Sequence, residues 1–400
     1  MRKRYLFYTL LFISAIIDAV AALFDSYLLN NVTSDPFVYT SALFMAGFIV
    51  CCVLGVFFST GIRGRSIGSL IDPAFRRMRM IKKAELPYHL IAGIGNAITT
   101  IAYAVLFSYY TDPSSILPFY QVVILYLLLI EAASEKNAPT IAEVGASISV
   151  VFGAIMMSMT RGVGDFRALL IVFLVLNPAY ALLTIYQRKL KSMTFKGVQN
   201  DAINIRFWNV FFSMLFALLL SLIISPSSSA ASFHALSENF GVFITLITLA
   251  TFSYILFIRA LGISTASIAQ AVKSVSLIIS IVFSLLMGQM AGIESTFALL
   301  KVMGVILVIL GIVDISFTEV RAFLFIRVKN GHSAKEVTDA IWKIKGIDSV
   351  SSVSGEYDVI ARVRTRTLGK GYETIVTKIN AIDGIRDFHW DSVLKEWENV

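Results

Sequence analysis

The chain has 400 residues, of which 57% are hydrophobic and 15% charged, and it carries a net charge of +8. A mean hydropathy of +0.77 excludes an ordinary water-soluble globular protein, whose surface needs far more charge, and predicts a polytopic membrane protein. Its two cysteines, Cys51 and Cys52, are adjacent in an apolar run, which excludes a disulfide framework and reads as two small packing residues.

Apolar runs of roughly 20 residues, enough to cross a hydrocarbon core of about 30 Å as helix, recur between residues 5 and 317 and then stop. They predict ten transmembrane helices, at 5–29, 37–59, 86–110, 114–133, 140–160, 167–187, 204–224, 240–259, 264–288 and 296–317. The first is read as a retained span rather than a signal peptide, because it carries Asp18 and lacks a small-residue cleavage site. Ten spans return the chain to its starting side. Basic residues in short loops favour the cytoplasm, and Arg2, Lys3, Arg4, the seven basic residues from Arg63 to Lys83 and those from Arg188 to Lys196 fall on one side. The N-terminus and the tail are therefore expected in the cytoplasm, with the bundle in the cell membrane. The opposite loops, including the Ser-rich SPSSSAASF, are nearly free of basic residues; Arg161, Arg167 and Lys301 are the exceptions.

Two stretches repeat. EKNAPTIAEVG, Glu135 to Gly145, and ESTFALLKVMG, Glu294 to Gly304, share Glu-x9-Gly before a small-residue helix, at an offset of 159 residues, about five spans. An odd number of spans per half gives the halves opposite orientations, the inverted arrangement that places a substrate site near the midplane between them. With the stretches FIRALGISTASIAQAVKSVSLIISIVFSLLMGQ, GVILVILGI and its first-half counterpart GASISVVFGAIMM, residues 5–317 resemble the drug/metabolite transporter superfamily in its EamA-like branch. That resemblance implies a ten-helix transporter domain over residues 1–320, in halves of about 1–162 and 163–320. The sequence departs from the family where a proline is frequent within spans four and nine: Pro118 lies early in span four, and the second half has no counterpart.

A lysine interrupts the apolar text AQAVKSVSL. Lys273 lies nine residues into the expected span nine, roughly 14 Å along a helix that rises 1.5 Å per residue. An ammonium facing lipid at that depth costs at least about 2.5–3.5 kcal/mol, so it is expected to face the bundle interior and meet an anion or a watery cavity. Either Lys273 lines a translocation pathway and attracts an anionic group of the solute, or it pairs with Asp18 or Asp25 of the first span. Those two acids are seven residues apart and share one face of the first helix. Gln270, Lys273 and Leu277 share a face at helical spacing, from which Ser276 is excluded. Gln121, Asn96, Tyr103 and Tyr254 are candidates for the same transport cavity or for hydrogen bonds between helices, together with Asn177; Asn177-Pro178 also predicts a kink. The four histidines have no metal-site spacing and no GxxxxGK[ST] loop is present, so neither metal, cofactor nor ATP is expected, and transport would be secondary. No nucleophile is paired with a base, and an enzyme is not expected.

From Arg321 the composition changes. AFLFIRV reads as a strand, followed by a helix from about Ser333 to Lys345 with Ser333 as N-cap and Glu336 completing a capping box. Strands IDSVSSV and DVIARVR follow, joined by a tight turn SGEY in which Gly355 supplies unusual backbone angles; then come a helix over about Leu368 to Ile382 and a strand from Ile385. The order βαββαβ, with KIKGIDSV and NAIDGIRDF repeating 38 residues apart, predicts a ferredoxin-like α+β domain beside the all-α membrane domain. The Gly-Ile after each helix and the Gly-x-Tyr-Asp turn resemble the effector-binding domain of the Lrp/AsnC family over residues 321–400. The resemblance implies dimerisation through the tail and a small-molecule site, amino acids foremost, near Gly355, Glu356, Tyr357 and Asp358. The family's helix-turn-helix is absent from the sequence. With 13 basic and 11 acidic residues the tail's net charge is only +2, so no nucleic-acid partner is expected. The expected function is a secondary transporter of small metabolites with a ligand-sensing tail; the alternative is a membrane-bound receptor or scaffold that senses amino acids without moving them.

Overall fold

A computed structural model describes residues 2–62, 64–109, 116–135, 141–158, 166–195, 197–286, 295–317, 320–344, 346–365 and 375–392. The chain divides into two compact units, one of Met1–Leu128 with Ser147–Ile312 and one of Leu129–Ala146 with Val313–Val400.

Helices occupy all ten expected positions: α1 Arg2–Asn31, α2 Pro36–Ser59, α3 Leu86–Phe107, a 3-10 turn Leu117–Val122 leading into α4 Val123–Glu135, and α5 Ile141–Ser158. Next, α6 runs from Phe166–Ile171 through a π-helical turn, Val172–Leu176, into Asn177–Ser192, and is followed by α7 Ala202–Ile224. After α8 Pro226–Glu238 and α9 Phe240–Leu261, the expected ninth span is split into α10 Ala266–Lys273 and α11 Val275–Leu286, and α12 Ser295–Phe317 closes the series. Among the described residues six helices are long and apolar enough to cross a membrane, and shorter apolar helices lie at the other four expected positions.

Several details depart from the sequence expectation. The Ser-rich SPSSSAASF is not a loop: it belongs to α8, which starts with Pro226 at its first position, where a missing N–H costs nothing. Helix α8 packs on α2, and Ser228 Oγ donates to Asp35 Oδ2 at 2.6 Å while Asp35 caps α2 through Phe37 N. Span nine breaks without a proline. Near Asn177-Pro178 the expected kink takes the form of the π-helical turn: the Val172 carbonyl accepts from the Asn177 backbone N–H and from Asn177 Nδ2 at 2.8 Å, and the Phe173 carbonyl, which lies five residues before the proline that has no N–H, accepts from Tyr126 OH at 2.6 Å. In the repeat, Gly145 and Gly304 fall within α5 and α12, while Glu294 lies outside the described residues.

A buried polar knot fixes where α7 begins. Lys191 at the end of α6 pairs with Asp72 at 2.6 Å, and the same Asp72 oxygen accepts from Ala202 N at 2.8 Å. Asp201 caps the helix by accepting from Asn204 N at 2.7 Å, and burial raises its carboxyl pKa despite that bond. Asn200 links the knot to Glu85, whose carboxylate also receives Arg79 Nη1 at 2.7 Å. Burial pushes the Glu85 carboxyl up, but the Arg79 bond and the Lys82 N–H together hold it below its ordinary value.

In the second unit β5 (Val320–Val328), β6 (Ile347–Ser352), β7 (Val359–Thr365) and β8 (Ile385–Ser392) form one antiparallel sheet in the order β6-β7-β5-β8, after two-stranded hairpins β1–β2 (Gly61–Ile62, Arg65–Ser66) and β3–β4 (Thr194–Phe195, Val198–Gln199) earlier in the chain. Alternate residues of β5 and β7, including Leu324, Ile326, Val359 and Ala361, turn inward against Val337 and Ile341 of helix α13 (Ala334–Trp342) and against Ile375 and Ile379 of a second helix over 375–380. Period-two burial is what the strand geometry requires. Both glycines of the Gly-Ile repeat have a reason: Gly346 has φ +99°, and a Cβ on Gly384 would lie 2.7 Å from Val337 Cγ2. Ser333 caps α13 through Lys335 N. The turn after β6 is longer than expected, spanning 353–358 and closed by Val353 N to the Asp358 carbonyl at 2.9 Å.

Candidate functional site

A cavity of about 150 Å³ lies inside the first unit. The structure brings all seven cavity candidates to its wall: Asp18 from α1, Asn96 and Tyr103 from α3, Gln121 from the 3-10 turn, Tyr254 from α9, and Gln270 and Lys273 from α10. Helical segments that are distant in sequence therefore converge on one polar volume within an apolar bundle.

Lys273 Nζ pairs with Asp18 Oδ2 at 2.6 Å, with the two side chains 4% and 29% exposed. The ammonium also sits 4.9 Å from the Tyr254 ring centroid and 4.5 Å from that of Phe257, distances at which a cation is attracted to a ring face. Ser253 Oγ donates to the other Asp18 oxygen, so the carboxylate is held from both sides. Of the two readings for Lys273, the ion pair with the first helix is present, and it lies on the cavity wall.

The hydrogen bonds explain how the polar residues are oriented. Tyr180 OH donates to Gln270 Oε1 at 3.2 Å, Ser274 Oγ donates to Gln121 Oε1, and Asn96 Nδ2 donates to Ser213 Oγ at 2.9 Å. Tyr39 OH donates to the carboxylate of Asp25, which also lines the cavity. The Tyr103 hydroxyl is buried with no partner among the described residues. One expectation is corrected: Ser276 faces the cavity, whereas Leu277 packs against Val308. The helix break at Ser274 advances the phase of the following residues, so the face shared by Gln270 and Lys273 does not continue to Leu277.

Sequence reasoning missed Arg206. It stands near the start of the expected span 204–224, where a basic residue normally flanks a membrane span. The helix in fact begins at Ala202, which carries Arg206 a full turn inward. It is 2% exposed, lines the cavity, and places its guanidinium 4.3 Å from the Tyr254 ring centroid. Its Nε and Nη1 have no hydrogen-bond partner among the described residues.

In the second unit the four effector candidates lie together in the β6–β7 connection. Gly355 is exposed and does not have the positive φ expected of it; the longer turn is shaped instead by Asp358, whose carboxylate accepts from Val328 N at 2.7 Å. Glu356 pairs with Arg327 at 2.6 Å near the surface, and the Tyr357 ring lies 5.3 Å from Phe325 and 5.0 Å from the Arg327 guanidinium.

The molecule thus joins a helical unit of membrane-crossing character to an antiparallel α+β unit. The family model of the Lrp/AsnC ligand binding domain matches residues 321–399. Among solved structures, TTHA0845 from Thermus thermophilus is 22% identical, with 20% of this chain and 99% of that one covered at a TM-score of 0.19. PH0061 is 14% identical, with 32% and 76% covered and a TM-score of 0.19. A third, described only as the crystal structure of a protein, is 14% identical over 76% of this chain and 98% of that one, with a TM-score of 0.48. No curated protein matches the chain.

Proposed function

We propose that the chain is a secondary transporter of small metabolites, amino acids and related compounds foremost, that moves its solute without covalent chemistry and carries a ligand-sensing regulatory domain. In this reading the six long apolar helices and the four shorter ones make ten crossings of the cell membrane. They form two inverted five-helix halves like those of EamA-like transporters, with the N-terminus and the tail in the cytoplasm and two copies paired through their tails. One observation carries the reading: a polar cavity, containing the Asp18–Lys273 pair, is lined from α1, α3, α7, α9 and α10 within an otherwise apolar bundle. Ionisable groups are costly inside a membrane and mark solute or ion pathways there, and transporter sites lie between inverted halves. Amino-acid sensing by the tail is supported by the Lrp/AsnC match over residues 321–399.

The test is exchange. Full-length protein is reconstituted into liposomes preloaded with one unlabelled amino acid, and uptake of the same labelled amino acid is followed across a panel. Saturable exchange, absent from protein-free liposomes, is expected. Ligand binding by the reconstituted protein without flux of any solute in the panel would overturn transport in favour of a membrane receptor.

A further inference from the structure

The cavity contains two basic side chains in different circumstances. Lys273 already has a carboxylate at 2.6 Å. Arg206 has an aromatic ring against its face but no carboxylate partner among the described residues, and two of its nitrogens, both buried, donate to nothing there. A guanidinium cannot shed its proton to escape this situation, and an unpaired charge in an apolar bundle is retained only where something meets it. The knot of Asp72, Lys191 and Asp201 fixes the start of α7, so Arg206 is held in the cavity wall rather than left near the helix end to reach water.

We propose that Arg206 is the anchor for a carboxylate group of the cavity's solute, a small singly charged carboxylate such as an amino, keto or hydroxy acid. This rests on the transport reading and names the substrate class of the same site. The Arg206 guanidinium is planar, and its adjacent N–H groups match the two oxygens of a carboxylate. Beside Arg206 and Lys273 the wall also carries the carboxyls of Asp18 and Asp25, an excess of at most one positive charge, which disfavours a phosphate dianion. The cavity, about 150 Å³ and partly open, is about the size that accommodates benzene in a protein core, so it fits a group of about six to nine heavy atoms. The free Tyr103 hydroxyl and the rings of Tyr120 and Tyr180 also line the cavity. They offer the rest of the molecule a wall that is apolar with polar tips.

The experiment uses the full chain in proteoliposomes and in detergent, with labelled L-alanine, L-leucine, L-lactate and pyruvate as probes and L-alaninamide, L-leucinamide, lactamide and pyruvamide as competitors lacking the carboxylate. At least one carboxylate should bind and exchange, its amide should fail to compete, and Arg206→Gln should weaken both readouts at least tenfold. Arg206→Lys should restore part of the loss. Size-exclusion profile and melting temperature establish that the variants are folded; if Arg206→Gln aggregates, the acid-against-amide competition on the native chain and the Arg206→Lys variant decide. Equal competition by amides, or the absence of any Arg206-dependent component in binding and exchange, overturns the inference. Exchange of amides or cations but not of carboxylates overturns it while leaving transport standing. Arg206-dependent carboxylate binding without exchange supports the anchor and removes the transporter.

Discussion

Replacing Lys273 tests the centre of the bundle most directly. Its Nζ lies 2.6 Å from Asp18 Oδ2 with only 4% of the side chain exposed, and the ammonium rests near the faces of Tyr254 and Phe257. Lys273→Ala leaves the Asp18 carboxylate with the Ser253 hydroxyl but no counter-charge. Removing one partner of a buried pair costs about 3–5 kcal/mol, whereas replacing both by groups of similar volume is often neutral. At roughly 2 °C per kcal/mol for a large domain, Lys273→Ala should lower the melting temperature of the solubilised full chain by about 6–10 °C. The double variant Lys273→Met with Asp18→Asn should recover most of that loss, because neither member of the pair is left as a lone charge and the volume is kept. A double-mutant cycle should therefore give a coupling of about 2 kcal/mol or more, within the range found for residues in contact. Additive effects, or a wild-type melting temperature for Lys273→Ala, would refute the buried pair. Exchange by the folded double variant then separates structure from transport: on the transport reading it stays defective although its stability has returned.

Gly153→Ala should destabilise by about 1–3 kcal/mol, the usual cost of overpacking. The new Cβ would stand 2.6 Å from the Gly304 carbonyl oxygen and 3.0 Å from Val308 N, backbone atoms that cannot step aside, while Gly145→Ala meets nothing within 4 Å and should hold or raise the melting temperature. For Glu85, a carboxyl lowered from its ordinary 4.5, the contribution is present above that value and lost as the pH falls through the lowered one; melting curves on acidification below 4.5 should drop more for wild type than for Glu85→Gln. In the tail, Asp358→Ala removes the acceptor for Val328 N, at a cost of about 1 kcal/mol, and should speed hydrogen exchange at that amide without any ligand present.

The parts of this architecture that were legible in the sequence depend on one-dimensional periodicity. Long apolar runs placed a helix at every expected position, and alternation in AFLFIRV and DVIARVR placed the strands. Cavity residues such as Lys273 and Asp18 were legible because a charge inside an apolar run has few places to go. The misses depend on position in space. Arg206 looked like a flanking residue, since nothing in INIRFW says that the Asp201 cap starts the helix early enough to carry the guanidinium to Tyr254. Ser276 and Leu277 exchanged roles because the break at Ser274 shifts helical phase, and no proline announces it. Gly355 was assigned a backbone role that Asp358 performs through its side chain. In the Ser-rich segment, composition suggested a loop, yet Pro226 at the first position and the bond from Ser228 to Asp35 make a helix.

The two irregular backbone segments beside the cavity bear on each other. The helix expected as span four begins as the 3-10 turn Leu117–Val122, and the one expected as span nine stops at Lys273 and restarts at Val275. Gln121 and Ser274, one from each irregularity, are joined by a hydrogen bond. Inside a bilayer such backbone is tolerated only where it lines a cavity or is covered by protein, because hydrocarbon offers nothing to freed carbonyl and amide groups. Here Ser274 N keeps the Gln270 carbonyl at 3.0 Å, Leu277 N takes the Ser274 carbonyl at 3.0 Å in a tighter turn, and the Ser274 side chain reaches across to Gln121. A proline would have fixed such a break permanently by deleting a donor. A serine keeps its N–H and can close or open the turn at small cost. On the transport reading, the joint between Lys273 and Ser276 is therefore where the cavity wall can change shape.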